Sequence, residues 1–156
     1  MFFSDDMREL VGLFEKHDVS YAVCGGFAVA HYGFVRSTMD FDLLVLPDSR
    51  NTRAIMAALG EFGFGGAGIE EKAFLSRGTA VTLGAQPNQI DLLTSMSSRP
   101  TAEIIANARV VQIHGLSMKV VSYEDLLFAK RESSRAKDRI DAEELARINP
   151  KTGKSE

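Results

Sequence analysis

Cysteine is nearly absent: Cys24 is the single one in 156 residues, which excludes an internal disulfide framework and points to a reducing cytoplasm. It lies in the apolar run Tyr21-Ala22-Val23-Cys24, the setting of a buried structural thiol. Long hydrophobic runs are also missing. No apolar stretch approaches the ~20 residues of a membrane span, and no basic leader with an apolar run opens the chain, so no membrane association is expected. Neither sign of charge dominates, with 18 Lys and Arg against 21 Asp and Glu, a formal charge of -3 and a pI near 5.7. That balance excludes strong nonspecific DNA binding, and any nucleic-acid contact would need a local basic patch. Internal repeats and low-complexity blocks are absent as well.

What is present is 45% apolar composition, enough in a chain of this length for one ordinary core. The expectation is one domain over residues 1–156, with a sheet region at about 18–95 and a C-terminal strand pair and helices at about 100–149. Met7, Leu10, Val11 and Phe14 recur at helical spacing in 4–16, with Ser4 as cap. Residues 20–24 read as a strand, Gly25-Gly26 as its turn, and 27–32 as a short helix closed by Gly33. Residues 40–46 form an apolar, central strand after two acids, followed by a helix over about 49–60. Five of the thirteen glycines fall in 60–68, where no regular element is expected. Strands at 80–84 and 89–93 flank Gln86-Pro87-Asn88, a helix covers 101–108, and strands at 109–113 and 117–121 flank His114-Gly115. Helices opening at Ser122 and near Lys137 finish the chain, the second ending at Asn149-Pro150.

Two carboxylates at i and i+2 on a strand share a face, roughly 7 Å apart along the backbone, so Asp40 and Asp42 can converge on one ion. Asp91, between Ile90 and Leu92, is costly to bury uncompensated, and a shared divalent cation is one compensation. Three carboxylates suit Mg²⁺ or Mn²⁺, which keep waters and substrate phosphates in their remaining positions, as in two-metal phosphoryl and nucleotidyl transfer. Backbone at Gly25-Gly26 can approach a phosphate closely, ahead of a helix N-terminus. Arg36, Ser37 and Thr38 add a guanidinium and hydroxyls before the acids. Taken singly, Asp-Xaa-Asp is commonly a solvated strand end and Gly-Gly a tight turn; the ordered combination carries the information.

Gly25-Gly26, Asp40-Phe41-Asp42 and Asp91, in that order, resemble the marks of the minimal nucleotidyltransferases of the DNA polymerase β superfamily. The stretch Arg36-Ser37-Thr38-Met39-Asp40-Phe41-Asp42-Leu43 is similar to the form in small bacterial members, including the toxin-like branch of toxin-antitoxin and abortive-infection systems. Val121 to Lys130 and Arg135-Ala136-Lys137-Asp138-Arg139-Ile140-Asp141 resemble the family's C-terminal helices, so the likeness spans about 20–147. It implies an α/β (α+β) fold, a mixed central sheet flanked by helices with a helical C-terminal part. It implies NTP as substrate, a pair of Mg²⁺ or Mn²⁺ ions on Asp40, Asp42 and Asp91 as catalytic and metal residues, and nucleotide binding by Gly25, Gly26, Arg36, Thr38, Lys130, Lys137 and Asp138. Asp138 and Asp141 would orient basic groups or the acceptor.

The acceptor stays open between a tRNA or other RNA end, a protein hydroxyl and a small molecule such as an aminoglycoside. Lys130, Arg131, Arg135, Lys137 and Arg139 can form a patch for an RNA end, although triphosphate binding explains the same charges. The toxin-like branch implies an antitoxin protein as partner. The alternative is a noncatalytic nucleotide-binding module, against which the retention of all three acids argues. Gly153-Lys154-Ser155 lacks the first glycine of a phosphate loop, since Ile148 stands there. His17, His31 and His114 have no mutual metal-ligand spacing.

Overall fold

The computed structural model describes residues 3–36, 40–63 and 68–150. Its elements run α1 (Asp5–Lys16), β1 (Tyr21–Cys24), α2 (Gly25–His31), β2 (Asp40–Val45), α3 (Ser49–Glu61), β3 (Ala80–Leu83), β4 (Gln89–Leu93), α4 (Thr101–Asn107), β5 (Arg109–Ile113), β6 (Leu116–Val120), α5 (Tyr123–Glu132) and α6 (Ala136–Ile148). A 3-10 turn at Glu71–Phe74, unforeseen from the sequence, precedes β3. One other boundary differs from expectation: the second helix opens at Gly25 itself. α3 ends at Glu61, next to the expected residue 60, and 64–67 lie outside the described residues.

Local chemistry explains the helix starts. Ser4 caps α1, its hydroxyl accepting from the Met7 N–H at 3.2 Å, and buried Met7, Leu10, Val11 and Phe14 form one stripe. Asp48 accepts from the Asn51 N–H at α3, and Ser122 accepts from the Asp125 N–H at α5.

The six strands make one mixed sheet in the order β3-β4-β2-β1-β6-β5. β2 runs antiparallel to β1 and parallel to β4, and β1 is parallel to β6. The outer hairpins, β3 with β4 and β5 with β6, are antiparallel. The innermost strands are the most apolar: Tyr21 to Cys24 and Leu43 to Val45 are fully covered, as a strand buried on both faces requires. Helices flank the sheet, α2 against β1 and β2, α1 against α3 and β6, and α5 against α6. Among the described residues no helix is long and apolar enough to cross a membrane.

Candidate active site

The site begins where β1 ends. Cys24 pairs across the sheet with Asp42, and the next residue, Gly25, turns the chain into α2 with φ +66°, a left-handed conformation that favours glycine. Space demands glycine as strongly, because a Cβ there would stand 2.0 Å from Asp42 Oδ2. The sequence reading assigned the missing side chain to phosphate approach; the structure fills that space with a carboxylate of the site. The adjacent Cys24 thiol is fully covered, and burial followed by the charge of Asp42 pushes its pKa far up, so it is an inert core group.

The acids occupy one face of neighbouring strands. Asp42 stands in register with Asp91, and Asp40 with Gln89. Burial, then the charges of Asp91 and Asp40, and a hydrogen bond with Asp91 push the Asp42 carboxyl up to about 7, while Lys130 across the pocket works the other way. Asp40 Oδ1 accepts from Gln86 Nε2 at 3.2 Å. Among the described residues no three His, Cys, Asp or Glu side chains converge closely enough to hold a metal ion. The donor set nevertheless fits a divalent cation: oxygen ligands only, with like charges crowded around Asp42.

Cations face the acids from the C-terminal helices. Lys130 is 9% exposed, and its Nζ lies 3.0 Å from Asp138 Oδ1 and 3.1 Å from Asp141 Oδ2. Arg36 grips Asp141 as a fork, Nε to Oδ1 and Nη2 to Oδ2, both at 2.8 Å. Arg135 Nε donates to Asp138 Oδ2 at 2.9 Å. Burial alone would raise the Asp138 pKa, but hydrogen bonds from Arg135, Ser133 and Lys130 outweigh it and hold the carboxyl well below the usual range. Asp138 and Asp141 are buried and fix the three cations in place, Lys130 and Arg36 largely out of water and Arg135 from an exposed position. The resulting pocket, of about 360 Å³, is lined by Asp40, Asp42, Asp138 and these cations together with Leu93, Met96, Leu126 and Ala129.

No protein-family model matches the chain, and no curated protein matches it either. Solved structures do match. ANT(2″)-Ia, in complex with adenylyl-2″-tobramycin, superposes with a TM-score of 0.56 over 94% of this chain and 87% of its own, at 12% identity. An antigenic nucleotidyltransferase-like protein from Paracoccidioides brasiliensis does so with a TM-score of 0.56 over 93% of this chain and 75% of its own, at 18% identity. The chain has a nucleotidyltransferase fold.

Within that nucleotidyltransferase fold, Gly25, Gly26, Arg36, Asp40, Asp42, Lys130, Lys137 and Asp138 line the same pocket. Asp91 stands beside Asp42 without lining it, and Ser37 and Thr38 lie outside the described residues. Asp141 holds Arg36 and Lys130, as expected of a residue that orients basic groups. The expected basic patch for RNA, however, is divided. Lys130, Arg135 and Lys137 face the pocket, whereas Arg131 and Arg139 line a separate groove with Arg147, because α5 and α6 present successive residues to different sides. Arg139 Nη2 points to the Ser134 carbonyl oxygen at 3.5 Å.

Sequence reasoning missed Ser95, Met96 and Ser133 in the pocket lining. Ser95 had a signal, being on the face of Asp91 and Leu93 by period two. So had Ser133, which extends the helical row of Leu126, Ala129 and Lys130. Gln89 had the same signal, two residues before Asp91 on β4, whereas the donors Thr82 and Gln86 carried no local signal.

Proposed function

We propose that this protein is a metal-dependent nucleotidyltransferase, moving a nucleoside monophosphate from an NTP to an acceptor. The observation that carries the reading is the pocket's opposition of Asp40 and Asp42, backed by Asp91, to Arg36, Lys130, Arg135 and Lys137. An acid wall facing a basic wall suits a ligand that is itself a polyanion carrying divalent cations.

Asp40, Asp42 and Asp91 are the residues to hold a pair of Mg²⁺ or Mn²⁺ ions, which when bound lower the pKa of an acceptor hydroxyl and offset charge on departing pyrophosphate. The chain's own residues do the rest. Arg36, Lys130, Arg135 and Lys137 bind and orient the triphosphate, and Gly25-Gly26 supply backbone N–H groups at the turn. Asp91 takes the hydroxyl proton as the acceptor oxygen bonds the α-phosphorus and the bond from that phosphorus to the β-bridging oxygen breaks. Pyrophosphate leaves with the electron pair. Rate acceleration comes from positioning and charge neutralisation.

Three acceptor classes are in play. The Arg131, Arg139 and Arg147 groove supports an RNA end, and the adenylylated tobramycin bound to ANT(2″)-Ia supports a small hydroxylated acceptor; a protein hydroxyl is the third. The Arg36 to Leu43 sequence supports a place in the toxin-like branch, cytoplasmic and paired with an antitoxin protein. The test is incubation of the protein with each NTP labelled at the α-phosphate, Mg²⁺ or Mn²⁺, and bacterial RNA, protein or aminoglycosides. Label transferred by the wild type and not by Asp42→Ala supports the reading and names the acceptor. NTP binding without label on any acceptor favours the noncatalytic module.

A further inference from the structure

The third acid, Asp91, is held by donors that the reaction scheme leaves unused. β3, β4 and β2 lie side by side, and their registers set Thr82 against Asp91 and Asp91 against Asp42. Thr82 Oγ1 donates to Asp91 Oδ1 at 2.8 Å. Gln89, two residues before Asp91 and therefore on the same face of β4, donates through Nε2 to Asp91 Oδ1 and Oδ2, each at 3.2 Å. Gln89 thus reaches both oxygens, and Oδ1 takes Thr82 as well.

Resting on the nucleotidyltransferase reading, we propose that Thr82 and Gln89 are positioning residues for Asp91, fixing its carboxylate so that Oδ2 is the oxygen offered to a divalent cation. The need for such a hold is electrostatic. The charges of Asp91 and Asp40 act against that of Asp42, and a carboxylate with free side-chain torsions relieves like-charge repulsion by rotating away. Hydrogen bonds to the ionised form oppose the rotation.

The chemical nature of the two donors matters as much as their position. Neither carries a charge, so they orient the carboxylate without neutralising it. A lysine or arginine at either position would compete with the cation for the same anion. Of the cations that line the pocket, Lys130, Arg135 and Arg36 reach Asp138 and Asp141 instead. Ligands to metals are commonly held by such outer partners, whose loss costs about 10- to 100-fold in metal affinity.

Thr82 lies exposed on an edge strand, where a single solvent-accessible hydrogen bond adds little to stability. Its substitution therefore separates orientation from folding. The experiment is titration of the full chain with Mn²⁺ in the absence of nucleotide, following free Mn²⁺ by electron paramagnetic resonance, with thermal unfolding of each variant alongside. Thr82→Val and Gln89→Leu are expected to weaken Mn²⁺ binding by about 10-fold or more, and Thr82→Ser to stay within about twofold of wild type. Wild-type affinity in Thr82→Val, or a Thr82→Ser variant as weak as Thr82→Val, overturns the inference while leaving the proposed function standing. A wild-type protein that takes up no Mn²⁺ overturns both.

Discussion

Gly25 and Asp42 share one volume: the position a Cβ would take on the glycine is 2.0 Å from the Asp42 carboxylate oxygen. The strand pairing that opposes Cys24 to Asp42 brings them together, and φ +66° at Gly25 turns the backbone beneath the acid. Gly25→Ala meets both obstacles. The left-handed conformation alone costs about 1 to 2 kcal/mol for a residue with a Cβ, and the clash displaces Asp42. The expected outcome is destabilisation of about 2 kcal/mol or more in urea unfolding together with loss of Mn²⁺ binding.

Asp42 also sets a pH dependence. Its carboxyl is raised to about 7 in the folded chain by burial and by Asp91 and Asp40, so the folded state binds a proton that the unfolded state has released. Stability from this group is fully present below the ordinary carboxylate pKa and is lost as pH rises toward 7. Asp42→Asn removes that slope. Without metal, the variant should be more stable than wild type at pH 8 and the gap should close at pH 5, measured by urea unfolding at both. Mg²⁺ should raise the unfolding midpoint of the wild type and not of the variant.

Asp141 is 1% exposed and bonded by Arg36 and Lys130. Asp141→Asn removes the buried charge that Arg36 grips and leaves Lys130 with Asp138 alone, and an expected loss of about 3 kcal/mol follows. Arg135→Ala removes a side chain that is 73% exposed, and a loss of about 1 kcal/mol or less is expected. Parallel unfolding curves of the two variants check the contrast.

Lys137 lines the pocket from an exposed position at the start of α6. Lys137→Ala should therefore raise the KM for NTP by about 10-fold through loss of a charge-assisted phosphate contact with little change in melting temperature. Steady-state kinetics with the acceptor identified by labelling measure it.

Expression in a bacterial host tests the toxin-like reading. Induction of the wild type should arrest growth and Asp42→Ala should not, followed by culture density at matched protein levels. Growth unaffected by the wild type would remove that part of the proposal.

Much of this was legible in the chain before folding was considered. The helix over Asp5–Lys16, the cap at Ser122, and the shared face of Asp40 and Asp42 all follow from spacing within a few residues, where a helix repeats every 3.6 residues and a strand every two. Lys130 shows where that logic stops. Its sequence neighbours Arg131 and Glu132 mark a solvated helix end, and its burial comes from Asp138 and Asp141 on the following helix. The split of Arg131 and Arg139 from the pocket has the same origin, since which side of a helix meets a neighbour is a property of the packing.

The sequence by itself determined the elements, the order of the glycine pair and the acids, and the face each acid takes, because these depend on local periodicity and backbone preference. Only the tertiary structure decided that Asp42 fills the space left by Gly25, that Asp91 stands beside Asp42 with Thr82 and Gln89 bonded to it, and that Arg36 closes on Asp141, 105 residues away. Strand order, register and helix docking are settled by the burial of apolar surface over the whole chain. The distances that make a site are consequences of that collective minimum.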